Sequence, residues 1–343
     1  MPELRKDAIV DRWVIIATER SRRPNDFLIE PEPPAVASPF AAGHEARTPP
    51  EIFQIGRDPS AAPDTPGWQV RVVPNKYPAL SMEGELNYQG LGMFDLMNGV
   101  GAHEVVIENP DQNWDMTVAT DEEMTNVLRA YRARILALQQ DERFRYVLVF
   151  RNKGTMAGAT IAHPHSQIIA LPILPMTVKE HLTAAREYYQ RKSRCIFTDI
   201  LRQELALGDR IVEANEHFIV LCPFAARFPF ETQIYPRRQS HDFATLDEDE
   251  LRALGDTLRR TLRRIKTLLG DPAYNLMLHN SPNLSPQPGC PDYWGTIAQD
   301  YQWRLDILPR LTRVAGFEWG TGFYINPVAP EEAARFLRET ATA

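Results

Sequence analysis

The feature that most constrains the fold of this chain is a repeated order of predicted elements. In each pass, two short strands precede a long helix with an acidic first turn, and two further strands follow and end on Leu-Pro. The first pass has strands at 68–73, 104–107, 146–150 and 167–171 and a helix at 121–138; the second has strands at 217–221, 232–235, 274–278 and 303–308 and a helix at 247–269. This order predicts a duplicated α+β unit of antiparallel strands with a helix on one face, the alternative being a coincidence among common elements.

The repeat also predicts domain boundaries. Residues 1–172 are expected to form the first domain, 173–216 a largely helical connection, and 217–343 the second domain with a C-terminal segment. Residues 28–67 are rich in Pro, Ala and Gly, which is typical of an irregular excursion rather than of packed elements.

Composition serves mainly to exclude classes of protein. The formal net charge of −7 argues against a general nucleic-acid binder, which needs a basic face. No apolar stretch is long enough to span a bilayer, and Met1–Val10 lacks the apolar core of a signal peptide. Three widely spaced cysteines do not imply a disulfide framework. We therefore expect a cytoplasmic protein without a nucleic-acid or membrane partner.

The strongest candidate for chemistry is the run His163-Pro164-His165-Ser166-Gln167. Side chains alternate along an extended chain, so His163, His165 and Gln167 share one face, and the nearby proline favours an exposed edge. Imidazole is largely unprotonated near neutral pH and can attack phosphorus, while Gln167 can donate a hydrogen bond to a phosphoryl oxygen. From spacing alone, structural histidines or a pair of metal ligands are the alternatives.

Just upstream, the segment 152–160 contains two glycines and hydroxyl groups that could hold phosphates with backbone amides. Asn152 and Lys153 begin this loop, and Gly158 and Thr160 lie near its end. It lacks the Gly-Lys-Ser/Thr ending of a P-loop, and a surface turn is the alternative. Positive charge for an anionic ligand is available from Arg20, Arg22, Arg23 and Lys76, although a solvated basic turn would also explain such a run.

With these residues in view, the chain resembles the galactose-1-phosphate uridylyltransferase family of the histidine-triad superfamily. The motifs that carry the resemblance extend over nearly the whole chain; they are Asp11–Val14, Val73–Pro78, Asn152–Gly154, His163–Gln167, Phe228–Thr232 and Gly316–Glu318.

The resemblance implies a fold of two tandem histidine-triad-like half-barrels and a nucleotidyltransferase that works by ping-pong transfer through a covalent nucleotidyl-histidine. It implies His165 as the nucleophile, supported by the His163 carbonyl and by Gln167, which stands where related hydrolases carry a histidine. It also implies nucleotide and phosphate contacts from Arg20, Arg23, Asn75, Asn152, Gly158 and Thr160. A homodimer is implied as well, with a segment at about 312–326 reaching toward the partner's site.

The resemblance leaves the substrates open. The leading hypothesis, which belongs to galactose metabolism, is transfer of UMP from UDP-glucose to a hexose 1-phosphate. The alternative is an ADP-glucose phosphorylase that passes AMP to phosphate, which Ser166 and the segment Gly316–Pro327 favour. A non-catalytic nucleotide-binding protein and a nucleotide hydrolase are two further alternatives, and the intact His165 and Gln167 argue against them.

Members of this family often bind zinc, but the ligands expected by resemblance are incomplete here. Ser38 and Ala41 replace one cysteine pair, leaving His103 and His163 as remnants, and two imidazoles make a poor structural zinc site. At a second site Cys195 remains, while Thr198, Gln239 and Gln302 replace its partners, and Arg304 matches a nearby ligand of other relatives. We therefore predict no cofactor and no structural metal; a site completed by His44 or Glu45 is the rival idea.

Overall fold

The computed structural model describes residues 1–17, 19, 24–27, 38–286 and 293–341. The strands are β1 (Glu3–Lys6), β2 (Trp13–Ile16), β3 (Phe53–Ile55), β4 (Val70–Pro74), β5 (Gln89–Leu91), β6 (Phe94–Leu96), β7 (Ala102–Ile107), β8 (Tyr146–Lys153), β9 (His165–Leu171), β10 (Ile211–Ala214), β11 (Phe218–Leu221), β12 (Thr232–Pro236), β13 (Tyr274–His279), β14 (Arg304–Pro309) and β15 (Tyr324–Asn326). The α-helices are α1 (Asp121–Gln139), α2 (Met176–Lys192), α3 (Ile196–Leu207), α4 (Glu248–Leu269), α5 (Ile297–Asp300), α6 (Gly316–Thr321) and α7 (Pro330–Glu339).

The duplication is visible in one antiparallel sheet of ten strands, ordered β10-β11-β12-β14-β13-β8-β9-β7-β4-β3. Each half contributes five strands in the same spatial order, so that β7, β9 and β8 correspond to β12, β14 and β13. The halves meet where β8 pairs with β13, with Phe150 opposite Met277. The predicted pair of antiparallel α+β units is confirmed, and this seam makes the two half-barrels continuous. The proposed domain boundaries stay a prediction.

Helices α1 and α4 cover one face of the sheet and occupy equivalent places in the two halves. Each begins with a capping box, Thr120 with Glu123 and Asp247 with Glu250, as the acidic first turns predict. Their apolar faces pack on the sheet in one continuous core. Gly255 lets the helices approach closely, because a Cβ atom there would lie only 3.1 Å from Cβ of Met124.

Within the ten-stranded sheet, two strands lie where the sequence predicts none; outside it, the sequence also predicts none of β1, β2, β5, β6 and β15. Strand β3 lies within the Pro-rich excursion and pairs with β4, and β10 lies at the end of the connecting segment and pairs with β11. Both are short edge strands, so too few residues alternate to give a period-two signal. The connection otherwise consists of α2 and α3, as predicted.

The opposite, outer face of the sheet positions the candidate sites. In the second half, the side chains of α2 and α3 pack with those of β11 and β12 in a separate apolar cluster. The N-terminal hairpin β1–β2 is fastened to the C-terminal region by parallel pairing of β2 with β15. In the described part of the chain, no helix has the length and apolar character needed to cross a membrane.

Candidate active site

The loop after β8 forms a tight turn that depends on two glycines. Gly154 and Gly158 have φ angles of 84° and 89°, which residues with a Cβ atom rarely adopt. Between them, the amide of Gly158 donates to the carbonyl of Thr155 at 2.9 Å. Asn275 on β13 holds the loop in place, since its amide nitrogen donates to Asn152 Oδ1 at 2.8 Å and to the Ala157 carbonyl at 2.9 Å. The second half of the chain thus shapes a loop of the first half.

His165, the first residue of β9, has a defined tautomer. Its Nδ1 atom lies 2.8 Å from the carbonyl oxygen of His163. Since a carbonyl can only accept, Nδ1 carries the proton and the neutral ring presents a lone pair at Nε2. Burial lowers the pKa of His165, opposed by this hydrogen bond, so the ring is neutral at physiological pH. The geometry leaves the Nε2 atom able to act as a nucleophile.

His165 is only 9% exposed, yet it lines a cavity of about 280 Å³. This volume is close to the lower end of the range for small-molecule sites, about 300–1,000 Å³. The remaining wall comes from the glycine loop, the segment before β9 and the turn before β13; it includes Ser38, Asn152, Lys153, Gly154, Thr155, Thr160, His163, Asp271 and Ala273. The cavity therefore brings together the histidine and most of the predicted phosphate loop.

Gln167 lies on the outer face of β9, next to this cavity but outside its lining. The backbone amide of Ala79 donates to His103 Nδ1 at 3.2 Å, so the proton of the neutral His103 ring is on Nε2. That atom donates to Gln167 Oε1 at 2.8 Å. With its oxygen engaged, Gln167 has its amide NH₂ group left for a ligand. The amide nitrogen of Asn75 lies 3.1 Å from the same Nε2 atom, a contact between two donors and not a hydrogen bond.

A buried charged network lies directly beneath the histidine run. Ser166 points to the helical side of the sheet, where its hydroxyl bonds both Glu108 and Tyr131 at 2.5 Å. Glu108 accepts two 3.0 Å bonds from Nε of Arg151, whose Nη1 donates to the Tyr274 hydroxyl at 2.6 Å. This network links α1, β8, β9 and β13 and fixes the backbone that carries His165.

Lys153 is held by carboxylates rather than left free. Its Nζ atom pairs with Asp271 and lies 3.3 Å from Asp115. Burial opposes ionisation of Asp115, but Lys153 and hydrogen bonds from Thr117 lower its pKa well below the ordinary range. Lys153 therefore has its charge balanced within the protein, and a direct contact with substrate phosphate stays a prediction.

The other predicted residues divide into three groups. Arg20, Arg22 and Arg23 lie outside the described residues. Asn152 and Thr160 line the cavity, whereas Gly158 lies outside the lining and acts through the turn, since its φ of 89° is rarely adopted by residues with a Cβ atom. His163 is buried rather than exposed at an edge, because Phe40 of the excursion packs against both histidine rings. The centroid of the Phe40 ring lies 6.0 Å from that of His163 and 5.4 Å from that of His165.

The residues at the first zinc position implied by the resemblance do not fit a metal. The ring nitrogens of His103 are engaged by Gln167 and Ala79, and Nε2 of His163 lies 2.7 Å from the Asn109 carbonyl. The rival ligands are also engaged, since Glu45 accepts from Trp68 Nε1 at 2.9 Å and His44 Nδ1 lies 2.6 Å from the Ser38 carbonyl. The excursion is instead anchored by Phe40, which packs on Trp68 and its neighbours.

The second zinc position is likewise replaced by hydrogen bonds between protein groups. Gln239 donates to the carbonyl oxygen of Tyr301 at 2.8 Å, and Gln302 donates to that of Pro236 at 2.6 Å. Cys195 Sγ lies 3.3 Å from the Asp300 carbonyl. Among the described residues, no group of three or more His, Cys, Asp or Glu side chains has the arrangement of a metal site. Neither position fits zinc.

Several residues of this site were missed from the sequence. Asn275 and the pair Glu108–Arg151 come from distant parts of the chain and belong to no short motif. The only available signal was Arg151 directly after the predicted strand 146–150, because an unpaired charge buried there would be costly. It pointed to a partner without identifying Glu108.

The duplicated antiparallel sheet, covered by one long helix in each half, defines a duplicated α+β protein, and its strand β9 begins with His165. Residues 1–175 match the N-terminal domain, and residues 181–302 the C-terminal domain, of galactose-1-phosphate uridyl transferase. The chain belongs to the galactose-1-phosphate uridyl transferase family, and it is a nucleotidyltransferase.

Named relatives cover the chain almost completely. An ADP-glucose phosphorylase from Arabidopsis thaliana is 36% identical over 99% of this chain and 93% of its own length. A galactose-1-phosphate uridylyltransferase from Thermotoga maritima is 28% identical over 99% of both chains. The crystal structure of an ADP-glucose phosphorylase from Arabidopsis thaliana with bound ADP-glucose has a TM-score of 0.83 at 34% identity, covering 99% of this chain and 100% of that one.

Proposed function

We propose that this enzyme transfers AMP from ADP-glucose to inorganic phosphate through a covalent intermediate on His165. The observation that carries the choice of substrate is the similarity over nearly the entire chain to an ADP-glucose phosphorylase, 36% in sequence and 0.83 in TM-score. The uridylyltransferase from Thermotoga maritima is less similar, at 28% identity. The resemblance to the family placed uridylyl transfer first, and this similarity reverses that order in the direction that Ser166 and the segment Gly316–Pro327 favour.

The first half-reaction forms the nucleotidyl-histidine. The Nε2 lone pair of His165 attacks the α-phosphorus of ADP-glucose, and the bond to the bridging oxygen breaks, releasing glucose 1-phosphate. The hydrogen bond from Nδ1 to the His163 carbonyl stabilises the positive charge that develops on the ring. The amide NH₂ of Gln167, oriented by His103, donates to a non-bridging oxygen as charge increases there.

In the second half-reaction, an oxygen of inorganic phosphate attacks the same phosphorus. The P–N bond breaks, the electron pair returns to Nε2, and ADP leaves. The sum of both steps is ADP-glucose and phosphate giving ADP and glucose 1-phosphate. The glycine loop from Asn152 to Thr160 supplies backbone amides for the diphosphate, and Arg20 and Arg23 supply charge.

The second candidate is uridylyl transfer from UDP-glucose to a hexose 1-phosphate, which the family match supports. It uses the same histidine chemistry and differs in the base and in the acceptor. We further propose a homodimer in which the segment around α6 contacts the partner, since Trp319 on this helix is 80% exposed.

The two candidates are separated by turnover with each nucleotide sugar and each acceptor. We expect ADP to form rapidly from ADP-glucose and phosphate. We expect glucose 1-phosphate to be released much more slowly from UDP-glucose with galactose 1-phosphate as the acceptor. Faster turnover of the second pair would favour uridylyl transfer. His165→Gly should abolish both reactions, whereas His217→Gly, outside the cavity that His165 lines, should retain activity. Thermal melts test whether both variants fold.

A further inference from the structure

A second and larger cavity, of about 440 Å³, lies in the C-terminal half and shares no lining residue with the His165 cavity. Its floor is formed by β12, β13 and β14, which correspond to the strands β7, β8 and β9 that carry the candidate active site. Helices α2 and α3 and the turn between β1 and β2 provide its walls. Its volume lies within the range for small-molecule sites, about 300–1,000 Å³.

The cations of this cavity are individually neutralised. Arg12 pairs with Asp7 at 2.6 Å, Arg227 with Glu231 at 3.1 Å, and Arg304 with Asp306 at 2.9 Å. The described lining also includes three further carboxylates, those of Glu180, Asp199 and Glu204. Two of these are paired with arginines outside the lining, Asp199 with Arg194 at 2.8 Å and Glu204 with Arg210 at 2.9 Å. The charges around the cavity are therefore close to balance and favour neither an anion nor a cation.

The two histidines of the cavity are acceptors. His181 Nδ1 lies 2.7 Å from the Thr177 carbonyl and so carries the proton, and its Nε2 accepts from Nη2 of Arg304 at 3.4 Å. His279 Nε2 lies 3.1 Å from the carboxylate of Asp306, leaving Nδ1 as the acceptor. Burial lowers the pKa of both rings, that of His181 to about 3. Because Arg304 brings a fixed positive charge between them, this cluster does not fit a metal ion.

The lining also contains unused donors. Arg304 is 4% exposed, and its Nη1 atom has no hydrogen-bond partner among the residues that the structure describes. Nε of Arg12 is likewise buried without a partner in the described part of the chain. Gln233 accepts from the Tyr235 hydroxyl through Oε1, which leaves its NH₂ group for a ligand. Apolar walls from Ile9, Leu221 and Met277 complete the cavity.

We propose that this cavity is a second binding site, specific for a neutral saccharide of one or two hexose units. Hydroxyl groups both donate and accept, which matches the donors of Arg304 and Gln233 beside the acceptor Nδ1 of His279. The apolar C–H face of a pyranose ring matches Met277 and Tyr235. Electroneutrality matches a lining whose guanidinium groups are each paired with a carboxylate.

The test is calorimetric titration of the full chain, without nucleotide, with D-glucose and maltose. D-glucuronate and D-glucosamine provide an anion and a cation on a related skeleton. At least one neutral sugar should bind, about tenfold more tightly than either charged sugar. Absence of binding by both neutral sugars, or equal binding of a charged one, would overturn the proposal.

Variants locate the site. Met277→Trp fills the cavity and should abolish binding, and Gln233→Leu should weaken it about tenfold, as expected for the loss of a hydrogen bond in a desolvated site. Leu136→Trp, on the exposed surface of α1, is the control for the added indole and should bind normally. His165→Gly should also bind the sugar normally, which keeps this test independent of the proposed reaction. Binding that survives Met277→Trp in a protein with an unchanged melting profile would refute the assignment.

Discussion

The ion pair of Glu108 and Arg151 beneath the histidine run offers a quantitative prediction. Its side chains are 0% and 4% exposed, and Arg151 Nε lies 3.0 Å from the Glu108 carboxylate. Removing one partner of such a pair leaves an uncompensated buried charge, so Arg151→Met should lower the free energy of unfolding by about 3–5 kcal/mol. Replacing both residues by apolar ones removes the uncompensated charge. The double variant Glu108→Leu/Arg151→Met should therefore be more stable than Arg151→Met alone, although Tyr274 still loses its hydrogen bond.

Urea unfolding followed by circular dichroism measures these differences, with Arg252→Met as the matched control. Arg252 pairs with Asp249 at 3.1 Å on the surface, with side chains 56% and 83% exposed, so its loss should have little effect on stability. Equal effects of Arg151→Met and Arg252→Met would refute this reasoning. The reasoning would also be refuted if the free energy of unfolding lost in the double variant equalled the sum of the losses in Glu108→Leu and Arg151→Met, since the two residues would then act independently.

Three further predictions concern pH, catalysis and metal. The pKa of His181 is lowered from 6.5 to about 3 in the folded protein, so the unfolded chain takes up the proton first and stability falls as the pH drops from 6.5 toward 3. This loss, up to about 1.4 kcal/mol per pH unit, should be smaller in His181→Gln, as urea titrations at several pH values would show; an unchanged pH dependence would contradict the assignment. Gln167→Leu should lower kcat about 10²–10³-fold with little change in KM in steady-state assays, and unaltered kcat would exclude a role for its amide in the transition state. Untagged protein should contain no stoichiometric zinc by elemental analysis and should keep its melting temperature with a chelator, whereas near-stoichiometric zinc would defeat the prediction.

Strand alternation predicted much of the site. It placed His165 and Gln167 on one face of β9 and Ser166 on the other, and the structure has this arrangement. Alternation describes only the strand itself, so it could not show that Phe40 covers His163 or that His103 orients Gln167. Such contacts join segments far apart in the sequence, and no local pattern encodes them.

In the fold, too, local sequence predicted the individual elements but not the contacts between distant segments. Acidic first turns predicted α1 and α4, because acidic residues that stabilise a helix N-terminus are a property of local sequence. The seam between β8 and β13 was not predicted, since each strand is equally able to pair with several others. The duplication explains the seam: strands in equivalent positions of the two halves meet there, and this pairing brings Asn275 to the glycine loop.

The central claim, a temporary bond between His165 and the nucleotide phosphorus, is tested most directly by peptide mass mapping after incubation with ADP-glucose in the absence of phosphate. The account predicts one AMP group on the peptide that contains His163–Gln167, with the fragment ions placing it on His165, and its loss when phosphate is added. An unmodified peptide from protein that turns over ADP-glucose rapidly, or a modification on another residue, would contradict the account.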